Sequence, residues 1–261
     1  MILEPINSIT SIAFYRKVAG QKVWRSFLYL AYVGLIFSAV FTFMLKIRVW
    51  PAIMDTFQWL ETSVPTLTFA NGRLSTPTNE LLTVRHPTIE KIAVAFDTAR
   101  TEPVTPQLMA DNKVLAYVTG NAMYIMQPGG KVEVYDFSKA PNPKPVVVDA
   151  DFYREIARGL AAILYPIGFL AAFALFMVWK TVSTLFYSLV ALMINGVADA
   201  RLEYKALFNI CAFAQTLVIA VQGILLIIPA RVPFFGPLAL AATTIYIWLA
   251  VKTNAPQQQA S

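Results

Sequence analysis

The sequence predicts a polytopic α-helical membrane protein of about five transmembrane helices, with a small, mainly antiparallel β (α+β) extracytoplasmic domain inserted between helices 1 and 2. Three observations carry this. Of 261 residues, 57% are hydrophobic, more than an ordinary soluble domain holds. The apolar residues gather in five runs, 26–45, 156–179, 182–198, 208–228 and 234–251, each close to the roughly 20 residues that cross a bilayer core. Between the first and second runs, the stretch 46–155 changes to strand periodicity. Backbone groups in lipid must be satisfied internally, so only helices and closed barrels span it, and these runs are continuous rather than alternating.

Residues 1–25 read as a cytoplasmic amphipathic segment. Ile9, Ile12, Phe14, Val18, Val23 and Trp24 interleave with Arg16, Lys17, Lys22 and Arg25, the pattern of a helix lying on a membrane surface. Run 26–45 is too long for a secretory signal and lacks a small-x-small cleavage site, so it reads as a retained anchor. Four cations before it against Lys46 and Arg48 after it place the N-terminus in the cytoplasm. The insert then lies outside the cytoplasmic membrane, which in a Gram-negative cell is the periplasm.

The insert opens with Trp50, Ile53, Met54, Phe57 and Leu60 on one helical face, with Pro51 suited to a first turn. Strands follow. Segments 66–70 and 73–76 flank Asn71-Gly72, whose residues tolerate the positive φ of a type I′ hairpin turn. Ile92, Val94 and Phe96 alternate in 91–96, and 114–118, 122–126 and 131–137 are three more strands, separated by Gly120-Asn121 and Pro128-Gly129-Gly130. The Pro-rich 140–148 reads as an extended connector. Asp149 or Asp151 then caps the next helix.

Residues 156–251 form a four-helix transmembrane region. Pro166 and Gly168 interrupt 156–179. Run 182–198 allows three readings: a short span, a re-entrant helix, or one long bent helix with its predecessor. The count of five takes the first, with Lys180 in a tight turn and the C-terminus outside. Residues 252–261 read as a disordered tail.

The net charge of +6 sits beside the spans, since 46–155 holds 11 Lys and Arg against 12 Asp and Glu. That distribution suits membrane lipids and argues against nucleic acid. One cysteine, Cys211, and one histidine, His86, exclude an internal disulfide and the usual His- or Cys-based metal sites. No cofactor is expected.

At the insert, "PTLTFANGRL", a strand ending "VAFDTA", "DNKVLAYVTGNAMYI" and "VEVYDFS" follow in order, and "LEYKALFNICAFAQTL" opens a later span. This resembles an uncharacterised bacterial multi-span membrane family, a domain of unknown function with some members labelled maltodextrin-utilisation proteins. The arrangement of spans is more loosely similar to the Yip superfamily. The resemblance implies a bundle with a small β insert and no known activity or functional residues.

Candidate contacts are few. Asp97 and Thr98 end an apolar strand, either to meet a ligand or partner or to bond nearby amides in a turn. Asn195, Asn209, Gln215 and Gln222 are the polar residues of the spans. Gln215 and Gln222, two turns apart, share a face that could bond a partner or pack internally. His86 reads as a surface-loop residue. Tyr117, Tyr124 and Tyr135 read as sheet-face residues. No span core holds Asp or Glu, which disfavours a proton path, and no nucleophile–base signature marks an enzyme. The expected role is a non-catalytic accessory, scaffold or assembly subunit, contacting other membrane proteins or itself, in a bacterial inner membrane. The alternative is a lipid- or small-molecule-handling protein or transporter component.

Overall fold

A computed structural model of the chain describes residues 2–78, 80–87, 89, 92–139, 144–228 and 230–256. The chain divides into two compact units, Met1–Val49 with Ile163–Ser261, and Trp50–Ala162. Four helical stretches are long and apolar enough to cross a membrane: Val23–Ser63, Ala150–Val197, Tyr204–Ile227 and Phe235–Asn254.

Two short helices, α1 (Glu4–Thr10) and α2 (Phe14–Ala19), precede α3 (Val23–Met44). The apolar face of α2 is not left on an open surface. Tyr15, Val18 and Ala19 are buried in the core of the helical unit beside Tyr29, Leu207, Phe213 and Ile247. The Tyr29 and Phe213 rings stack with centroids 3.8 Å apart. The Tyr15 hydroxyl donates to Ser8 O at 2.9 Å, and burial holds its pKa above the usual tyrosine value.

Helix α3 passes through a π-helical turn, Leu45–Val49, into α4 (Trp50–Ser63). Pro51 is therefore not at a helix start, as the sequence suggested. It cannot donate to the fourth carbonyl back, and its ring crowds that carbonyl. A wider turn relieves both conflicts without ending the helix.

The largest departure from the sequence reading is α6 (Ala150–Val197), 48 residues without a break. The predicted spans 156–179 and 182–198 are one helix, and Lys180 lies inside it. The segment Trp179-Lys180-Thr181-Val182 contains neither Gly nor Pro, so nothing stops the helix there. The real break comes at Asp199 and Arg201, both with positive φ. Asn195 fixes it, its Oδ1 accepting from Leu202 N at 3.0 Å and its Nδ2 donating to Leu202 O at 3.2 Å. Asp149 caps the helix start, accepting from Phe152 N at 3.0 Å.

The predicted span 208–228 is two helices, α7 (Tyr204–Ala214) and α8 (Thr216–Ile227), interrupted at Gln215. Side chains compete with the backbone there: Gln215 Nε2 donates to Cys211 O at 3.3 Å and Thr216 Oγ1 to Phe213 O at 2.5 Å. Helix α9 (Phe235–Asn254) follows a left-handed Phe234. Arg16 Nε donates to Thr253 O at 3.1 Å and Tyr246 to Ile9 O at 2.9 Å, so the N-terminal helices and the end of α9 share one end of the unit. Arg48 Nη2 bonds Ile227 O. Pro229, within the predicted turn 229–233, and 257–261 of the predicted tail lie outside the described residues.

The second unit has two sheets rather than one. The first has order β2–β1–β8, from β1 (Leu67–Ala70), β2 (Arg73–Ser75) and β8 (Val146–Val148). The second has order β3–β4–β5–β6–β7, from β3 (Leu82–Arg85), β4 (Ala93–Asp97), β5 (Ala116–Thr119), β6 (Ala122–Met126) and β7 (Val132–Asp136). The Asn71-Gly72 turn is as expected, with φ of 51° and 74°. A Cβ on Gly72 would lie 3.1 Å from Ser138 Cα.

Strands β3 and β8 and helix α5 (Pro106–Asp111) were not legible in the sequence. Part of the Pro-rich connector is thus strand β8, paired with β1, while 140–143 lie outside the described residues, as does Lys91 of the predicted strand 91–96. Helix α5 carries the crossover that makes β4 and β5 the parallel pair among antiparallel neighbours. Trp59, Leu67, Leu74, Phe96 and Val118 form one core of this unit. Ala93, Ala95, Met109 and Tyr117 form another.

Candidate functional site: an interhelical cleft with one buried lysine

The site starts from the pattern of small and large residues on α3, α6 and α8. Gly34 of α3 faces Phe176 of α6, and a Cβ there would lie 2.8 Å from Phe176 Cδ1. The missing side chain lets α6 close on α3 at this level, where the Phe37 and Phe176 rings lie 5.2 Å apart. Further along α6, Gly168, Ala171 and Ala172 have too little side chain to fill the space between the helices. The result is a cleft of about 730 Å³ lined by Phe37 and Phe41 of α3, Leu45 of the π-helical turn, one face of α6 between Leu164 and Lys180, and Gln222, Leu225 and Leu226 of α8. Leu175 and Trp179 on its rim are 70% and 66% exposed, so it opens sideways. A second, smaller apolar cleft of about 410 Å³ lies among α1, α3 and α8.

One end of the first cleft is polar. Lys180 is only 5% exposed. Its Nζ donates to Gln222 Oε1 at 3.0 Å and stands 6.0 Å from the centre of the Phe176 ring. Among the described residues, no ion pair involves Lys180. An ammonium has three donors, and burying its charge is costly unless it is paired.

A polar ladder runs from Lys180 along α6 at four-residue spacing. Thr184 Oγ1 donates to Lys180 O at 2.7 Å and accepts from Gln215 Nε2 at 2.8 Å, and Ser188 Oγ donates to Thr184 O at 2.7 Å. Positions 180, 184 and 188 share one helix face, and α7–α8 runs antiparallel beside it.

Of the residues picked from sequence, Gln222 and Gln215 do share a face, but both are used inside the chain. Asn209 is fully buried, accepting from Ser26 Oγ and donating to Gln21 O, each at 2.7 Å. It pins the start of α3 to α7. Asn195 staples the 199–203 loop. In the other unit, Asp97 Oδ2 accepts from Tyr117 OH at 2.9 Å and Thr98 Oγ1 bonds Thr76 Oγ1 at 2.8 Å. Those contacts make Asp97 and Thr98 part of the strand-end turn. Burial, and then the bond to Asp97, raise the Tyr117 pKa.

His86 is not a surface-loop residue as read from sequence. It is 9% exposed, lies 4.9 Å from the Trp59 ring, and accepts from Ile89 N at 3.1 Å. The residue that sequence reasoning missed is Lys180, taken for a turn. Its signal was present: one cation inside 39 apolar-rich residues, 159–197, with no turn former beside it.

No curated protein and no solved structure matches the chain. A family model described as a protein of unknown function, DUF1189, matches residues 6–251, nearly the whole sequence, and the chain therefore belongs to that family.

Proposed function

We propose that the protein is a non-catalytic integral membrane protein that holds an amphiphile in the α3–α6–α8 cleft. The observation that supports this most is the union of a laterally open apolar cleft with one buried cation at its end. Its volume, about 730 Å³, falls in the range of roughly 300–1,000 Å³ usual for small-molecule sites. A cation inside an apolar helix layer is costly and marks function by default. The strongly polar side chains of the lining are Lys180 and Gln222, a pair suited to binding rather than to bond cleavage.

The topology that fits is four crossings in a bacterial inner membrane, with the N-terminus cytoplasmic and the β-rich unit outside. The C-terminus is then cytoplasmic too. Beside the spans, this puts Arg16, Lys17, Lys22, Arg25, Arg201, Lys205 and Lys252 inside and Lys46, Arg48, Arg154, Arg158 and Arg231 outside. Seven against five, with Arg154 paired to Glu61 and Asp151, keeps the positive-inside sense.

The accessory or assembly role is the second reading. It is favoured by α6, on which Val182, Leu185, Phe186, Leu189, Met193 and Val197 are exposed. That face would meet lipid, another membrane protein or a second copy.

The test of cleft binding is photolabelling in bilayers with a lipid carrying a diazirine on its acyl chain. Labels are expected on α3, α6 and α8 cleft residues, and Ala171→Trp should abolish them by filling the space. Labelling spread evenly over α6 and insensitive to Ala171→Trp would count against the reading.

A further inference from the structure

We propose that the occupant of the cleft is a long-chain fatty acid, its carboxylate held by Lys180 Nζ and the Gln222 amide and its chain running toward Leu45 and Leu164. This rests on the cleft binding an amphiphile at all, and adds the head group and its orientation.

The head group follows from charge. Lys180 is 5% exposed, and Gln222, the acceptor for its Nζ, is neutral. Spans α3, α7, α8 and α9 contain no Asp or Glu, and neither does α6 beyond Glu155. The helical layer therefore supplies no counter-charge, and an anionic ligand is the partner that would. Lys180 is the one charged residue lining the cleft. A monoanion neutralises it, whereas a phosphate monoester, with a charge of about −1.5 to −2, would leave an excess. A carboxylate presents two acceptor oxygens. Lys180 has two donors beyond the one given to Gln222, and Gln222 has its NH₂. One oxygen on each partner forms a charge-assisted pair of the stronger kind.

The tail follows from shape. Leu164 and Lys180 are sixteen residues apart on one helix, about 24 Å of axis. That exceeds one leaflet of a hydrocarbon core roughly 30 Å thick. The lining over this length is apolar, and the side opening at Leu175 and Trp179 admits a single chain from the bilayer.

Trp179 on the rim supplies the readout. Wild-type protein and Trp179→Phe, in phosphatidylcholine nanodiscs, are titrated with dibromostearic acid and with its methyl ester. The Trp179-specific quenching is the difference between the two proteins. The acid should bind at least about tenfold more tightly than the ester, as a charge-assisted bond predicts. Lys180→Gln should bring the acid to within about threefold of the ester on the same variant. Equal affinity of acid and ester for the wild type would overturn the carboxylate assignment while leaving cleft binding standing. Stronger, Lys180-dependent quenching by brominated phosphatidylglycerol than by the acid would also overturn it. No Trp179-specific quenching by any of the three would remove cleft binding, and the fatty-acid proposal with it.

Discussion

Asn209→Ala isolates the contact that ties the N-terminal helices to the bundle. The side chain is fully buried, with Ser26 Oγ and Gln21 O each at 2.7 Å. Truncation removes both bonds. Gln21 O and the Ser26 hydroxyl lose their partner, though Ser26 keeps a weaker contact with Gln21 Nε2 at 3.3 Å. A net hydrogen bond contributes about 0.5–1.5 kcal/mol, and a stranded buried group costs about 1–3 kcal/mol. Bonds between membrane helices average about 0.6 and reach about 1.7 kcal/mol. Two bonds with one partly rescued group give a loss of about 2 kcal/mol. Ser26→Ala, which removes the bond to Asn209 and the weaker one from Gln21 Nε2 but leaves the Asn209–Gln21 bond, should cost about 1 kcal/mol. The double variant should show about 1 kcal/mol of coupling. Reversible unfolding of the full chain in mixed micelles, followed by circular dichroism, measures all three. Additive losses, or a loss below about 0.5 kcal/mol for Asn209→Ala, would show that Asn209 does not lock α3 to α7.

Four further outcomes are expected. Gly34→Ala should destabilise the helical unit by about 1–3 kcal/mol in the same assay, because its Cβ would meet Phe176 Cδ1 at 2.8 Å. Gly72→Ala should cost about 1–3 kcal/mol, since φ is +74° and Ser138 Cα would stand 3.1 Å away. Calorimetry of the full chain would show that cost in the transition of the β-rich unit. Asp136 accepts from the Ser138 hydroxyl at 2.7 Å and amide at 2.9 Å, which lowers its pKa. Its contribution is therefore present above the ordinary carboxylate value and is lost as pH falls through the lower folded value, so Asp136→Asn and wild type should converge in stability at acidic pH. In a Cys211→Ala background, a cysteine at Arg201 should react with a membrane-impermeant maleimide only after permeabilisation, and one at Arg231 without it; the reverse pattern would invert the proposed topology.

The Asn71-Gly72 hairpin, the strand at 122–126, the helical face after Trp50 and the Asp149 cap were legible because each is local chemistry. A positive φ, a two-residue alternation and an orphan amide are written in a few adjacent residues. Strands β3 and β8 were not, since Leu82–Arg85 and Val146–Val148 become strands by pairing with β4 and β1. Proline signals flank them instead, Pro77 and Pro87 around the first and Pro143 and Pro145 before the second. The burial of Tyr15 and Val18 was hidden for a related reason. A cationic amphipathic helix reads the same whether its apolar face meets lipid or α7 and α9.

Apolar helices with a β-rich insert can be read from the residues in order, because the length of an apolar run and its period are local properties of the chain. The sequence also selected Gln215 and Gln222 as polar residues on one helix face. What they meet depends on how the helices pack. Lys180 looked like the turn between two spans because a charge in an apolar run usually marks an end. In the folded chain α6 continues through it, α8 brings Gln222 to within 3.0 Å of its Nζ, and small residues on α6 leave room beside it. A buried cation next to an apolar cleft is a property of three helices packed together, and no one of them carries it alone.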